Sequence, residues 1–323
     1  MPNKAPLISI PILTYNGERY LREQLDSIYA QTYKNIEVIA YDDGSTDNTI
    51  KILKEYKLTK GLHLYLQKNN VGLIQNTADA LQKCTGNYIA IADQDDIWKP
   101  NKLERLLDNI QDNTLIFSDS TTIDEDNNIL QENYFSQTAN LISSSNSLNY
   151  IFGSGISAHA MLFKSDLLPF IFPIPQVGIY PDWWIIFVAS NNGKIKFLQD
   201  SLVLYRRHTT QATKTCIKKP TPFFQRLIIR EKRVYEDRAK LLKRLTAFQE
   251  LESINSHTKD FLTLLIYKLK KFDSCFYNKS LETLLLKHST ELYKVFLMNK
   301  KETYKQIKRL SRGIWYYRLK LYT

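Results

Sequence analysis

Apolar and polar positions in the first hundred residues switch repeatedly between a strand-like and a helical period. Leu7 to Leu13 is an apolar run of strand length that stops at Thr14-Tyr15-Asn16-Gly17, which is turn chemistry. From Glu18 to Ala30, the residues Tyr20, Leu21, Leu25 and Ile28 recur at helical spacing. Ile36 to Tyr41 predicts a second strand, stopped by Asp42-Asp43-Gly44-Ser45; Thr46 or Asp47 then caps a helix with Ile50, Leu53 and Tyr56 along one face. Leu62 to Leu66 predicts a third strand, followed by Asn69-Asn70-Val71-Gly72 and a helix from Ile74 to Cys84. Tyr88 to Ala92 predicts a fourth strand running straight into Asp93-Gln94-Asp95-Asp96, with a helix expected over Ile97 to Ile110.

Strand, loop and helix repeated in this way predict an α/β fold with a parallel sheet and crossover helices. Ligands of such sheets sit outside the carboxyl ends of the strands. Tyr15, Asp42, Asp43, Asn70, Asp93, Asp95 and Asp96 are therefore expected to converge on one crevice. After Leu115-Ile116-Phe117 the pattern loosens, and the polar residues 119–149 read as a long loop or lid. From Pro220 onward no strand-like alternation occurs and no glycine appears until Gly313. Leu227, Val234, Leu241, Leu245 and Phe248 predict one amphipathic helix, and Leu281, Leu284, Leu285 and Leu292 another. A basic stretch broken by two prolines, residues 214–222, suggests a boundary between residues 1–215 and a basic helical region, 216–323.

Charge sharpens that division. Residues 1–200 carry 16 basic and 23 acidic side chains, whereas residues 201–323 carry 28 basic and 10 acidic. The first part is suited to hold a cation and the second to face something anionic. No run of about 18 apolar residues occurs, which argues against a membrane-spanning helix, and Leu7 to Leu13 reads as a strand, not as a signal peptide. Cys84, Cys216 and Cys275 are too few and too scattered for a disulfide framework, so reduced, cytoplasmic thiols are expected.

Three carboxylates in Asp93-Gln94-Asp95-Asp96 repel one another unless a cation or hydrogen-bond donors neutralise them. That invites Mg²⁺ or Mn²⁺ shared with diphosphate oxygens, while a solvated acidic turn capping the next helix is the plainer alternative. Here the motifs become specific. Pro11-Ile12-Leu13-Thr14-Tyr15-Asn16-Gly17, Gln24-Leu25-Asp26-Ser27-Ile28, Asp42-Asp43-Gly44-Ser45-Thr46-Asp47 and Asn70-Val71-Gly72 strongly resemble family 2 glycosyltransferases. So do Asp93-Gln94-Asp95-Asp96-Ile97-Trp98, Pro100-Asn101-Lys102-Leu103, Pro181-Asp182-Trp183-Trp184 and Tyr205-Arg206-Arg207-His208. The DQDDIW and DWW forms look most like the rhamnosyltransferase-like branch, and the resemblance covers roughly residues 6–210.

The resemblance implies the GT-A fold, a nucleotide-sugar donor and an inverting transfer to a saccharide or lipid-linked acceptor in cell-surface polysaccharide synthesis. It implies donor contacts from Pro11, Tyr15, Asp43, Asn70, Gly72, Asp93 and Arg206, with Tyr15 against the base and Asp93 at the ribose. It implies a divalent metal on Asp95 and His208, a general base in Asp182, and an acceptor site near Trp183, Trp184 and Gly155. A non-catalytic nucleotide- or sugar-binding adaptor on the same fold is the alternative. The glycine-rich basic loop of a sugar-phosphate nucleotidyltransferase is missing from Pro11 to Gly17.

Residues 303–323 contain six basic and no acidic side chains, with Ile307, Leu310, Ile314, Tyr317 and Leu321 forming one apolar stripe. Such a helix suits the anionic inner face of a membrane, where the chain would be peripheral, or else packs its stripe on its own protein or on a second copy in a homo-oligomer. The charge recruits no nucleic-acid partner, since no nucleic-acid-binding module accompanies it.

Overall fold

A computed structural model describes residues 5–209 and 223–313. The chain begins β1 (Ile8–Thr14), α1 (Leu21–Tyr29), β2 (Ile36–Asp42), α2 (Thr49–Lys60), β3 (His63–Leu66) and α3 (Leu73–Leu81). Short strands β4 (Tyr88–Ile89), β5 (Ala92–Asp93) and β6 (Ile97–Trp98) lead to α4 (Lys102–Ile110), β7 (Leu115–Ile123), β8 (Ile129–Gln131) and α5 (Tyr134–Thr138). Then come β9 (Met161–Lys164), α6 (Leu168–Ile171), α7 (Pro181–Asn192) and β10 (Ile195–Arg206). Five helices close the chain: α8 (Phe223–Gln249), α9 (Ser256–Lys270), α10 (Lys279–Lys287), α11 (Ser289–Leu292) and α12 (Lys300–Ser311).

The strands form one sheet in the order β3-β2-β1-β4-β9-β7-β10-β6, with β5 also on β1 and β8 on β7. β1, β2, β3, β4 and β5 run parallel, as the repeated units predict. β9 runs antiparallel to β4 and β7, and β6 antiparallel to β10, so the sheet is mixed beyond the part that periodicity reveals. Alternate residues of β7 and β9 enter opposite layers: Leu115, Phe117, Met161 and Phe163 one, Ile116 and Leu162 the other. The second layer holds α1, α2 and α4 against Ile8, Ile10 and Ile12.

The first layer holds α3, α7 and the closing helices together. Phe187 of α7 and Phe248 of α8 have ring centroids 4.1 Å apart, and Leu265, Leu285 and Ile307 lie in the same core. The expected boundary at 214–222 lies outside the described residues.

Two expectations are corrected. α4 starts at Lys102 and not at Ile97: Pro100 disfavours helical backbone at Lys99, and Ile97–Trp98 pair with Leu204 and Val203. The supposed loop from residue 119 begins as strand. β7 continues to Ile123 beside β10, with Ser118, Asp119, Ser120, Thr121 and Thr122 all buried.

Candidate active site

Parallel register brings the polar strand ends together, Thr14 beside Asp42 and Leu13 beside Asp93. Asp42 locks its turn by accepting from the Thr14 hydroxyl at 2.9 Å, the Ser45 N–H at 2.9 Å and the Ser45 hydroxyl at 2.6 Å. Asp43 reaches across to the next loop, one oxygen accepting from Val71 N–H at 2.7 Å and the other from Gly72 N–H at 3.0 Å. Gly44, at φ +78°, lets those loops touch, since a Cβ there would meet the Asn69 backbone at 3.1 Å. Gln94 bridges the first and fourth units by taking the Tyr15 N–H at 2.8 Å and donating to the Tyr15 carbonyl at 3.0 Å. Tyr15 and Asn70 stand exposed at the rim. Pro11 does not belong to that rim: it is buried within β1 opposite Ile39, because β1 runs three residues past it.

The Asp93-Gln94-Asp95-Asp96 turn splits its carboxylates between two partners. Asp95 Oδ2 lies 2.9 Å from His208 Nε2. Asp96 is fully buried, one oxygen accepting from the Arg206 N–H at 3.0 Å and the other lying 3.1 Å from His159 Nδ1. The same His159 nitrogen is 3.4 Å from Asp93 Oδ2, while its Nε2 faces the Ser120 hydroxyl at 3.2 Å. Burial pushes the Asp96 carboxyl well above the usual range against the pull of His159. Burial also works against charge on His159, yet Asp96 and Asp93 hold it above the ordinary imidazole value. Lys102, buried beside them, is pushed down by loss of solvent; its ammonium donates to the His159 carbonyl at 2.6 Å and lies 3.1 Å from the centre of the Trp98 ring.

Two ligand sets suited to a divalent ion result. Asp95 and His208 offer a carboxylate and an imidazole at the half-open side of the turn, with Asp95's side chain 18% exposed. Asp93, Asp96 and His159 place their donor atoms within 4.8 Å of one another. Oxygen plus imidazole nitrogen suits Mn²⁺, and Mg²⁺ accepts a single carboxylate with diphosphate and water.

Asp182 sits in the first turn of α7, just after Pro181, and accepts from the Trp183 N–H at 2.7 Å. Burial pushes its carboxyl up to about 6, and Asp93 and His159 stand close enough to act on it. The remainder of α7 is core on every side, from Trp184 through Ser190.

Trp184 is therefore corrected from the acceptor site to the core: 4% exposed, it donates its ring N–H to the Ile171 carbonyl at 2.7 Å and stacks on Phe248. Trp183 is half-buried, its ring N–H donated to the Tyr150 carbonyl at 2.6 Å and Arg244 5.6 Å from its ring centre. Gly155 has φ +66°, and a Cβ there would come within 2.8 Å of Ala139 Cβ, so packing alone accounts for the glycine.

Arg206 is corrected likewise. Its side chain has no solvent contact and donates to the Asp95 carbonyl at 2.9 Å, Asn127 Oδ1 at 2.6 Å and Glu23 at 2.6 Å. It braces two loops against α1, with its guanidinium committed to Glu23 and to loop acceptors. Gly72, at φ +85°, opens α3.

Sequence reasoning missed His159, although it lies just past the small-residue run Gly153 to Ser157 and just ahead of a buried strand. It also missed an aromatic wall in which Tyr205 stands 4.9 Å from the His159 ring, 6.0 Å from Phe135 and 6.2 Å from Tyr134. Asp119 fixes that wall by accepting from Phe135 N–H at 2.9 Å and Ser136 N–H at 3.1 Å.

Comparison with known proteins agrees with this geometry. The model of the family described as glycosyl transferase family 2 matches residues 9–167. The uncharacterized glycosyltransferase RP339 of Rickettsia prowazekii is 30% identical over 277 residues, 83% of this chain and 81% of its own. The uncharacterized glycosyltransferase alr2836 of Nostoc is 31% identical over 215 residues, which cover 62% of this chain and 65% of that relative. The putative teichuronic acid biosynthesis glycosyltransferase TuaG of Bacillus subtilis is 34% identical over 119 residues, 36% of this chain and 47% of its own. Among solved structures, S. aureus TarS with UDP-GlcNAc superposes with a TM-score of 0.54 at 17% identity, over 89% of this chain and 78% of that one. The Pyrobaculum calidifontis mannosyltransferase PcManGT with GDP-Man and Mn²⁺ gives 0.52 at 17% identity, over 99% and 88%. These structural likenesses speak for the GT-A fold, and the sequence matches add the lineage: the chain belongs to family 2 of the glycosyltransferases.

Proposed function

We propose that the chain is an inverting, metal-dependent glycosyltransferase that moves one sugar from a nucleotide-sugar donor to a saccharide or lipid-linked acceptor in cell-surface polysaccharide synthesis. One observation carries this reading: the Asp95–His208 pair follows Asp93 in the same turn, and Asp93 and His159 stand close enough to the half-buried Asp182 to act on its proton affinity, which supports a phosphate-side cation site and a base in one crevice.

Asp95 and His208 would hold the divalent ion, which when bound acts as a Lewis acid on the donor diphosphate. Asp93, half-exposed at the end of β5, orients the donor ribose. Asp43 retains lone pairs beyond its two backbone bonds and accepts from the base, with Tyr15 beside it at the rim. Asp182 takes the proton of the acceptor hydroxyl, and the freed oxygen attacks the anomeric carbon opposite the leaving diphosphate, so configuration inverts. Its raised pKa suits a base working near neutral pH. Asp93 and Asp96 favour the charged form of His159, whose Nδ1 faces both carboxylates at 3.4 and 3.1 Å and so eases their mutual repulsion. Trp183 borders the acceptor side.

The donor class follows the base-side contacts, which accept uracil and thymine alike; UDP-sugars and dTDP-rhamnose are the candidates. TarS with UDP-GlcNAc and PcManGT with GDP-Man and Mn²⁺ support a nucleotide-sugar on this fold. TuaG supports a polysaccharide setting. A thermal-shift panel of UDP, dTDP, GDP and CDP, each with Mn²⁺ and with EDTA, tests the reading. Stabilisation by one nucleotide that EDTA abolishes is the expected result; no response to any nucleotide would return the adaptor to first place.

A further inference from the structure

α12 turns its apolar stripe inward. Ile307 has no solvent contact and Leu310 packs against the shared core. The segment from Ile314 on, where the expected stripe continues, lies outside the described residues. The outward face of α12 carries Lys301, Lys305 and Arg309 in solvent, at spacings of one turn. Glu302, the one carboxylate of the helix, is committed to a capping box with Asn299. Among the described residues no carboxylate forms an ion pair with Lys301, Lys305, Lys308 or Arg309. Lys305, Gln306, Lys308, Arg309 and Arg312 line a groove of about 390 Å³, in which Lys305, Lys308 and Arg309 place three cations on one helix. Arg238 of α8 donates to the Leu310 and Arg312 carbonyls, which ties the end of the groove to the rest of the protein. Tyr304, on the same helix, is 42% exposed, and Phe276, whose carbonyl accepts from the Gly313 N–H just past α12, is 48% exposed.

We infer that this face of α12 docks on the phosphate headgroups of an anionic bilayer, by charge and without inserting the apolar stripe. Basic side chains with aromatic rings at the edge match the charged headgroup layer and the boundary beneath it. Lys308 lies 4.6 Å from the centre of the Tyr304 ring and occupies one of its faces. The inference does not depend on the chemistry assigned to the crevice, so vesicle binding and nucleotide binding can fail separately.

Flotation of the full chain with vesicles of phosphatidylcholine, alone or with about 30% phosphatidylglycerol, reads the interaction directly. Binding is expected only to the anionic vesicles, and it should weaken as NaCl rises from about 0.1 to about 0.5 M. Lys301→Glu/Lys305→Glu/Arg309→Glu should lower vesicle affinity about 100-fold, from roughly fivefold per lost cation, with melting temperature and nucleotide response unchanged. It spares Lys308, which stands near Glu282. Should the charge reversals disturb folding, the Gln triple at the same positions gives the same direction without adding like charges. Equal binding to neutral vesicles, binding that survives both triples, or capture of a poly-uridine RNA with none of the vesicles would overturn the inference.

Discussion

At the carboxyl ends of the strands, Asp96, His159, Lys102 and Arg206 are ionisable groups without solvent contact, whereas Lys301, Lys305 and Arg309 on α12 stand in water. Asp96 and His159 lie 3.1 Å apart and Arg206 reaches Glu23 at 2.6 Å, while the Lys102 ammonium is held by the His159 carbonyl and the Trp98 ring, and Asp96 raises the proton affinity of both His159 and Lys102. Among the described residues no carboxylate forms an ion pair with the second set. Removal of one member should therefore propagate in the first region and stay local in the second, because an unpaired buried charge is costly and a solvated one is not.

The largest expected effect is at the base. Asp182→Asn should lower the transfer rate about 1000-fold, within the span of general-base catalysis, while nucleotide-induced thermal stabilisation stays intact. A variant that loses both would make Asp182 a structural cap and nothing more. Arg206→Met should follow, destabilising the fold by about 3 kcal/mol in denaturant titration, since it strands buried carbonyls and the Glu23 carboxylate. Asp95→Ala or His208→Ala should weaken Mn²⁺-dependent nucleoside diphosphate binding by roughly 100-fold, the scale of losing one ligand or its partner. Calorimetry that showed equal binding with EDTA would remove the metal from the account.

Acidity gives a smaller effect. With the Asp182 carboxyl at about 6, transfer should fall about tenfold per pH unit below that value and level off above it, because the proton-bound form is no base. The same shift acts on folding in a defined direction. The folded value lies above the unfolded one, so the folded chain binds more protons between them, and this group's contribution falls as pH rises from about 4 to about 6. Smallest of all, Lys305→Ala should change stability by less than about 0.5 kcal/mol and leave transfer untouched.

The comparison also separates what was legible in the residues from what was not. The first four strands and the helices between them announced themselves because an apolar run met a polar stop at each boundary. Convergence of Asp42, Asp43, Asp93 and Tyr15 followed from the parallel register. β7 beyond Phe117 was illegible, since a strand made of Ser118, Asp119, Ser120, Thr121 and Thr122 has no hydrophobic period although all five are buried. Their burial is supported by side-chain partners that lie tens of residues away, such as His159 for Ser120 and Ser201 for Thr121. Trp184 was misread for the opposite reason: a ring suited to a sugar is equally suited to a core, and only Phe248 and the Ile171 carbonyl decide. Arg206, read as a cation for phosphate, is committed to Glu23 and two loops. The basic stripe of α12 was visible from composition, yet which side faced outward depended on Ile307 finding the core.

Asp182 begins a helix whose following residues, Trp184 to Ser190, are buried and packed on Phe248 of α8, so it has no loop of its own on which to swing. Any opening that admits an acceptor must come from the walls around it, such as the segment 124–138 that Arg206 and Asp119 pin from opposite ends. With Asp182 as the base proposed above, exchanging that segment between family members is the graft that recasts a wall of the crevice and leaves the carboxylate on its helix.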